Sequence, residues 1–304
     1  MAVVAENVRR PVGMPRRTAG GMRLAAAALL APATLLFVGF FVLPLCLLVL
    51  LSLLSGNPVQ NPNVVFTTRH YARLVADDFY AEVLWRTVQL ALYTTAASLV
   101  IGYPLAFQLA RMRGSFGRTL FLMAILAPML IGIVIRTYAW MTILSDQGLI
   151  NSGLRALGLT EKPVKLMYDE LGIVVALVHI YVPFMVLTLT GVIGRIDVRL
   201  EEAARSLGAG RLRCFLEVTL PLSLPGILAG SLLVFALSVS AYVTPTLIGG
   251  FQVTTLPMLI FQQISGSFNI GFAGALGVVL LAVSLLLVVL YNRVLARLAG
   301  GRAA

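Results

Sequence analysis

The sequence predicts an all-α, multi-pass membrane protein with six transmembrane helices. Three observations carry that expectation. Hydrophobic residues fill 59% of the 304 positions and charged residues only 12%, whereas a soluble protein is roughly a quarter charged. Apolar surface on that scale exceeds what one soluble core can hide. Six apolar runs, at 24–54, 87–109, 119–144, 171–193, 222–248 and 271–291, each reach the roughly 20 residues that a helix needs to cross about 30 Å of hydrocarbon. Finally, the formal net charge of +11, from 23 basic against 12 acidic residues, is spread unevenly over alternate connections.

The elements follow in order. Arg9, Arg10, Arg16, Arg17 and Arg23 lie in a tail, 1–23, ahead of the first run. That run is too long for the apolar region of a signal peptide, about 7–15 residues, so a retained helix is expected. The connection 55–86 holds the turn signals Asn57-Pro58 and Asn61-Pro62, then Tyr71, Leu74, Val75 and Phe79 at helical spacing. It predicts a short interfacial helix. Arg111, Arg113 and Arg118, with no acid among them, join the second run to the third. Arg136 is the one charge inside any run, about eight residues or 12 Å from the end of the third. Leu149, Ile150, Leu154 and Leu157 ahead of Gly158 predict a helix stopped by glycine. A core of five helices, 87–291, thus includes a polar segment, 194–221, between the fourth and fifth runs. A tail, 292–304, carries Arg293, Arg297 and Arg302. Pro32, Pro44, Pro104, Pro128, Pro183, Pro225 and Pro245 lie within runs, where proline kinks membrane helices without forbidding them.

Basic residues of short loops set orientation. The N-terminal tail, the 2–3 and 4–5 connections and the C-terminal tail hold 16 of them; the alternate connections hold 6. Both termini are therefore expected in the cytoplasm, and the excess charge is a topological label rather than a nucleic-acid footprint. Cys46 and Cys214 lie in unlike surroundings and are expected as two unpaired thiols.

The segment 194–221 has a shape. Asp197 is placed to cap a helix. Leu200, Ala203, Ala204 and Leu207 then recur at i, i+3, i+4, i+7, with Arg199, Glu201, Glu202 and Arg205 expected to point elsewhere. Gly208-Ala209-Gly210 is a stop and turn. A second amphipathic piece carries Leu212, Phe215 and Leu216 up to Leu220-Pro221. Two short helices bent about glycine form a knob. It could rest on lipid headgroups or dock on a protein, its flanking charges setting the register.

Glu202-Ala203-Ala204, Gly208 six positions after the glutamate, then Val218, Leu220 and Pro221 resemble the EAA signature of ATP-binding-cassette importer permeases. Val218 stands where the signature has isoleucine, keeping size and branching. Arg136-Thr137-Tyr138-Ala139-Trp140, Gly148-Leu149-Ile150-Asn151, Pro183-Phe184-Met185 and Ile196-Asp197 look like the spermidine/putrescine-type branch, from about Tyr71 onward. The resemblance implies the type I permease fold, and a coupling site at Glu202, Ala203, Ala204, Arg205, Gly208, Val218, Leu220 and Pro221. It also implies a cytoplasmic ATPase dimer, a second similar permease and an outer solute-binding protein as partners, beside membrane lipid. A polyamine is the substrate it favours; another organic cation, an amino-acid derivative or ferric iron fits the same architecture.

Other functions fare worse. A phosphate-binding loop G-x-x-x-x-G-K-[ST] is missing, and Lys162 and Lys165 are the only lysines. H-E-x-x-H and G-x-S-x-G are missing too, so neither an enzyme nor a metal or cofactor site is expected. All 12 acids fall outside the apolar runs, whereas an ion-coupled carrier usually shows buried acids near the midplane. Arg136, Tyr138, Trp140, Tyr181 and Tyr242 are the candidates for the translocation path. The aromatic rings could face a cation, although packing is an equally ordinary use for them. His179 is alone in the fourth run and is expected as a hydrogen-bonded packing residue.

Overall fold

The computed structural model describes residues 29–55, 65–112 and 114–300. The tail 1–23, the Asn57-Pro58 and Asn61-Pro62 turn signals, Arg113 and Arg302 lie outside them. The described residues are helical apart from connections and one bridge pair, Leu54 with Phe66. Among the described residues, four helices are long and apolar enough to span a bilayer: Leu29–Ser52, Asp78–Arg111, Glu170–Ile193 and Ile270–Tyr291. Two bent pairs pass jointly, which makes six spans if each pair counts as one. Residues up to Leu50 form one compact unit and those from Leu51 another.

The first helix carries apolar side chains on every side, which suits a lipid environment better than water. It relaxes into a π turn at Val38–Val42. Pro44 follows after one intervening residue, and its missing N–H breaks the regular ladder there.

In the second unit, His70, in the helix Arg69–Ala76, hydrogen-bonds through Nε2 to the Leu54 carbonyl at 2.9 Å. Tyr71 Oη lies 2.7 Å from Ser52 Oγ. Arg73 stacks over the Phe272 ring, 4.7 Å from its centre. Asp77 ends this helix and caps the next, accepting from Phe79 N at 3.0 Å. The second span helix therefore begins at Asp78, nine residues ahead of its apolar run.

The core is a three-helix packing of Asp78–Arg111, Glu170–Ile193 and Leu224–Val239. Small residues let the helices approach, since in lipid association depends on close packing rather than on hydrophobic drive. Met185 is fully buried between two glycines. A Cβ on Gly102 would sit 2.9 Å from Met185 Cγ, and one on Gly230 2.7 Å from its Sδ. One turn away, a Cβ on Gly226 would lie 2.8 Å from Val192 Cβ. Gly226 and Gly230 thus form a small-x-x-x-small stripe.

The third and fifth runs, where kinks were expected at proline, are broken outright. Ser115–Leu130 and Ile133–Ala156 meet at 96°. Pro128 cannot donate a backbone hydrogen bond, so the helix tightens to 3-10 over Ala127–Leu130. Ile131 is then extended and Gly132 non-helical. In the fifth run the segments Arg211–Leu222 and Leu224–Val239 meet at 64°. The helix stops at Val239, and a π turn, Pro245–Gly249, completes the run. The sixth helix outlasts its run and continues to Gly300. The glycine-stopped helix is present as Leu149–Ala156, with Gly158 at φ +69°.

Candidate functional site

Asp197 caps the first helix of the knob, its Oδ1 accepting from Arg199 N at 2.9 Å. The helix Val198–Ser206 ends at Gly208, whose φ of +87° is left-handed. No heavy atom lies within 4 Å of a Cβ built there. Backbone conformation, not space, is what asks for glycine. Gly210 opens Arg211–Cys214, and the chain continues through a π turn, Phe215–Thr219, into Leu220–Leu222. That π turn ends two residues before Pro221, as the first one does before Pro44.

The knob turns its apolar stripe away from the bundle. Its apolar face looks outward: Leu200, Leu212 and Leu216 are exposed, and Leu207 is 90% exposed. Glu202, Ala203, Arg205 and Gly208 share that open surface; Ala204 is half-buried. Val218, Leu220 and Pro221 are half-buried where the segment joins the fifth span, with Leu220 packed on the core. An exposed patch of leucine and alanine with Glu202 and Arg205 at its edge is built to be covered.

Glu201 points away from that stripe, and into the protein: it is the helix's one buried side chain, at 6% exposure. It is ion-paired with Arg111, the last residue of the helix Asp78–Arg111. Thr219 Oγ1 donates to Glu201 Oε1 at 3.1 Å, and Arg111 Nη1 donates to the Ile196 carbonyl at 3.2 Å. Beside them Tyr103 Oη lies 2.8 Å from Ser223 Oγ, and Phe215 meets Tyr103 edge-on at 5.5 Å. Sequence reasoning missed this cluster. The available signal was Arg111 itself, a base at the end of an apolar helix with no acid in its own connection.

The path candidates do not share one cavity. Arg136 is 8% exposed, and its Nη2 donates to the Ile131 carbonyl at 2.7 Å. It satisfies an acceptor freed by the break in its own span, as an arginine at that depth requires. Its neighbour Thr137 lies 3.1 Å, oxygen to oxygen, from Thr244, at the start of the π turn in the fifth run. The two interrupted runs are therefore bonded to each other at their breaks. Trp140 Nε1 donates to His179 Nδ1 at 3.0 Å, so that nitrogen is unprotonated. Both line an apolar cavity of about 540 Å³ with Val178, Val182 and Pro183. Tyr138 is exposed at a different cavity, about 720 Å³, with Met141, Asp146 and Lys165. Tyr242 stacks on Phe261, ring centres 4.6 Å apart. Tyr181 is in the core, its hydroxyl donating to the Leu237 carbonyl at 3.1 Å.

A polar cavity of about 600 Å³ was not foreseen. It is lined by Arg86, Tyr93, Tyr168, Asp169, Glu170 and Gln252 among others. Asp169 caps the fourth span helix and Glu170 pairs with Arg86 at 3.2 Å. The 24-residue helix Glu170–Ile193 separates this cavity from the knob, a length of about 36 Å. The knob and the cavity thus lie at opposite ends of the bundle.

With this geometry in view, the comparisons with known proteins are specific. Residues 98–300 match the family described as binding-protein-dependent transport system inner membrane component. The spermidine/putrescine transport system permease protein PotB of Escherichia coli is 34% identical over 254 residues, covering 84% of this chain and 92% of that protein. PotB of Haemophilus influenzae is 32% identical over 255 residues, covering 84% and 88%. Among solved structures, a bacterial ABC transporter involved in the import of the acidic polysaccharide alginate superposes with a TM-score of 0.68. That likeness has 20% identity and covers 91% of this chain and 96% of that one; it shows the fold. The chain belongs to the inner-membrane components of binding-protein-dependent transport systems, and is a multi-pass ABC transporter permease of the type I fold rather than an enzyme.

Proposed function

We propose that the chain forms the translocation path of an ATP-driven polyamine importer, for spermidine, putrescine or a close analogue. The similarity to PotB along 84% of the chain carries that reading. Its partners are an outer solute-binding protein, a second permease of the same family and a cytoplasmic ABC ATPase dimer. The knob at 194–221 is the coupling site. Its outward leucines and alanines offer the ATPase an apolar surface, and Glu202 and Arg205 set the register. The distribution of basic residues puts the knob and both termini in the cytoplasm. The cavity of Tyr93, Tyr168, Asp169 and Glu170 then opens on the outer side, where carboxylates and ring faces suit an arriving polycation.

Alternating access fits two spans with internal breaks joined by Thr137 and Thr244. A bend already present is a place where two arrangements differ little in cost. The alginate system has the same fold, so the fold alone does not select the solute. Calorimetry on the partner binding protein decides it: heat with putrescine or spermidine is expected. Heat only with another solute would transfer the same permease role to that solute.

A further inference from the structure

The coupling helix Val198–Ser206 has one buried side chain, Glu201, and its remaining side chains are exposed or half-exposed. Force delivered to the outer face of this helix must leave it through its ends or through Glu201. That carboxylate is held from two directions. Arg111 ends the second span helix, and Thr219 lies at the root of the fifth. Arg111 also holds the Ile196 carbonyl just ahead of the coupling helix. Cys214 Sγ, in the second piece of the knob, lies 3.7 Å from the Glu201 carbonyl. A buried ion pair adds little stability over an apolar replacement, but it fixes one geometry. An anchor of that kind suits a joint that must transmit movement without slipping.

We propose that Glu201 and Arg111 are positioning residues that form an internal clamp, tying the coupling helix to the second span so that ATP-driven motion of the knob reaches the membrane. The inference rests on the reading of this segment as the ATPase-coupling site. It names a link inside the permease, distinct from the surface that meets the ATPase.

The test is hydrogen exchange on the full transporter complex in lipid nanodiscs, with and without ATP plus vanadate, for peptides 104–112 and 198–207. In the parent, nucleotide changes exchange in both. In Glu201→Gln, which keeps shape and hydrogen bonding, the response at 198–207 persists and that at 104–112 falls about tenfold, the scale of an ordinary coupling between sites. Arg111→Gln does the same, and the double variant is no worse than either single one. A parent-like response at 104–112 in Glu201→Gln overturns the clamp, as does a variant that merely assembles in lower yield with both responses intact. If Glu201→Gln does not assemble, Thr219→Val takes its place, with an intermediate loss expected and a parent-like response contradicting the proposal. Spermidine uptake is measured on the same complex reconstituted into proteoliposomes with its binding protein outside and ATP within. A parent that responds to nucleotide but takes up no spermidine refutes the substrate reading alone. A parent with no response at 198–207 refutes the coupling reading and the clamp with it.

Discussion

Gly208 shows how one residue decides the shape of a surface. Its φ of +87° costs an L-residue about 1 kcal/mol or more, and the turn it makes presents Leu207 and Leu212 on one side. Gly208→Trp should still insert, despite that backbone cost, yet abolish uptake, because the space around the glycine is open and the indole obstructs the docking surface. Glu202→Lys should do the same by reversing a charge at the edge of that surface. Uptake by either variant at the parent's level would remove the knob from the mechanism. The motif residues were legible because spacing and residue type both survive in the linear sequence. The direction of the helix was not. Leu200, Ala203 and Leu207 make a regular apolar stripe whether it faces the bundle or a partner, and periodicity alone carries no sign. Glu201 contradicted its own chemistry by being inside, and only the three-dimensional neighbourhood of Arg111 and Thr219 explains it.

At the scale of elements, the broken third span depends on Arg136. Its guanidinium takes the Ile131 carbonyl that the break leaves without a helical partner. Arg136→Met should lower stability by about 2 kcal/mol, the cost of an orphaned acceptor in a span where no water replaces the donor, seen as a lower thermal midpoint in detergent. A midpoint equal to the parent's would show the carbonyl to be satisfied otherwise. The three-helix core makes a second prediction. Gly230→Ala puts a methyl group 2.7 Å from Met185 Sδ, and Met185 cannot retreat because Gly102 and its helix lie behind it. The expected loss is about 2 kcal/mol, and Met185→Ala in the same chain should recover part of it. Additive losses would mean that the two side chains never meet. Length and hydropathy revealed where these elements lie, but missed helix ends by as much as nine residues, at Asp78, Val239 and Gly300. The 96° and 64° bends were beyond them: seven prolines lie within the apolar runs, and Pro104 and Pro183 sit inside unbroken helices. Whether proline kinks, bends or breaks a helix depends on who satisfies the freed carbonyls, and those partners come from elsewhere in the chain.

At the largest scale, the unit from Leu51 onward is a bundle with different chemistry at its two ends. One end presents an exposed apolar knob flanked by arginines; the other holds a polar cavity with two carboxylates and two tyrosines. The net charge of +11 has its meaning at this scale, since 16 of the 23 bases belong to the connections expected on the knob side. A fluorescent reporter fused at residue 304 should therefore fold and shine in the cytoplasm, and a reporter active only outside would invert the topology. Substrate identity is the least legible property, because the same fold serves polyanionic alginate in one relative by structure and spermidine or putrescine in relatives by sequence. The most direct measurement is uptake of labelled spermidine into proteoliposomes holding the assembled transporter, its binding protein outside and ATP within. The account predicts accumulation that requires both ATP and the binding protein and that Gly208→Trp abolishes. Accumulation of a different solute with no polyamine uptake, or polyamine uptake that persists in Gly208→Trp, would contradict it.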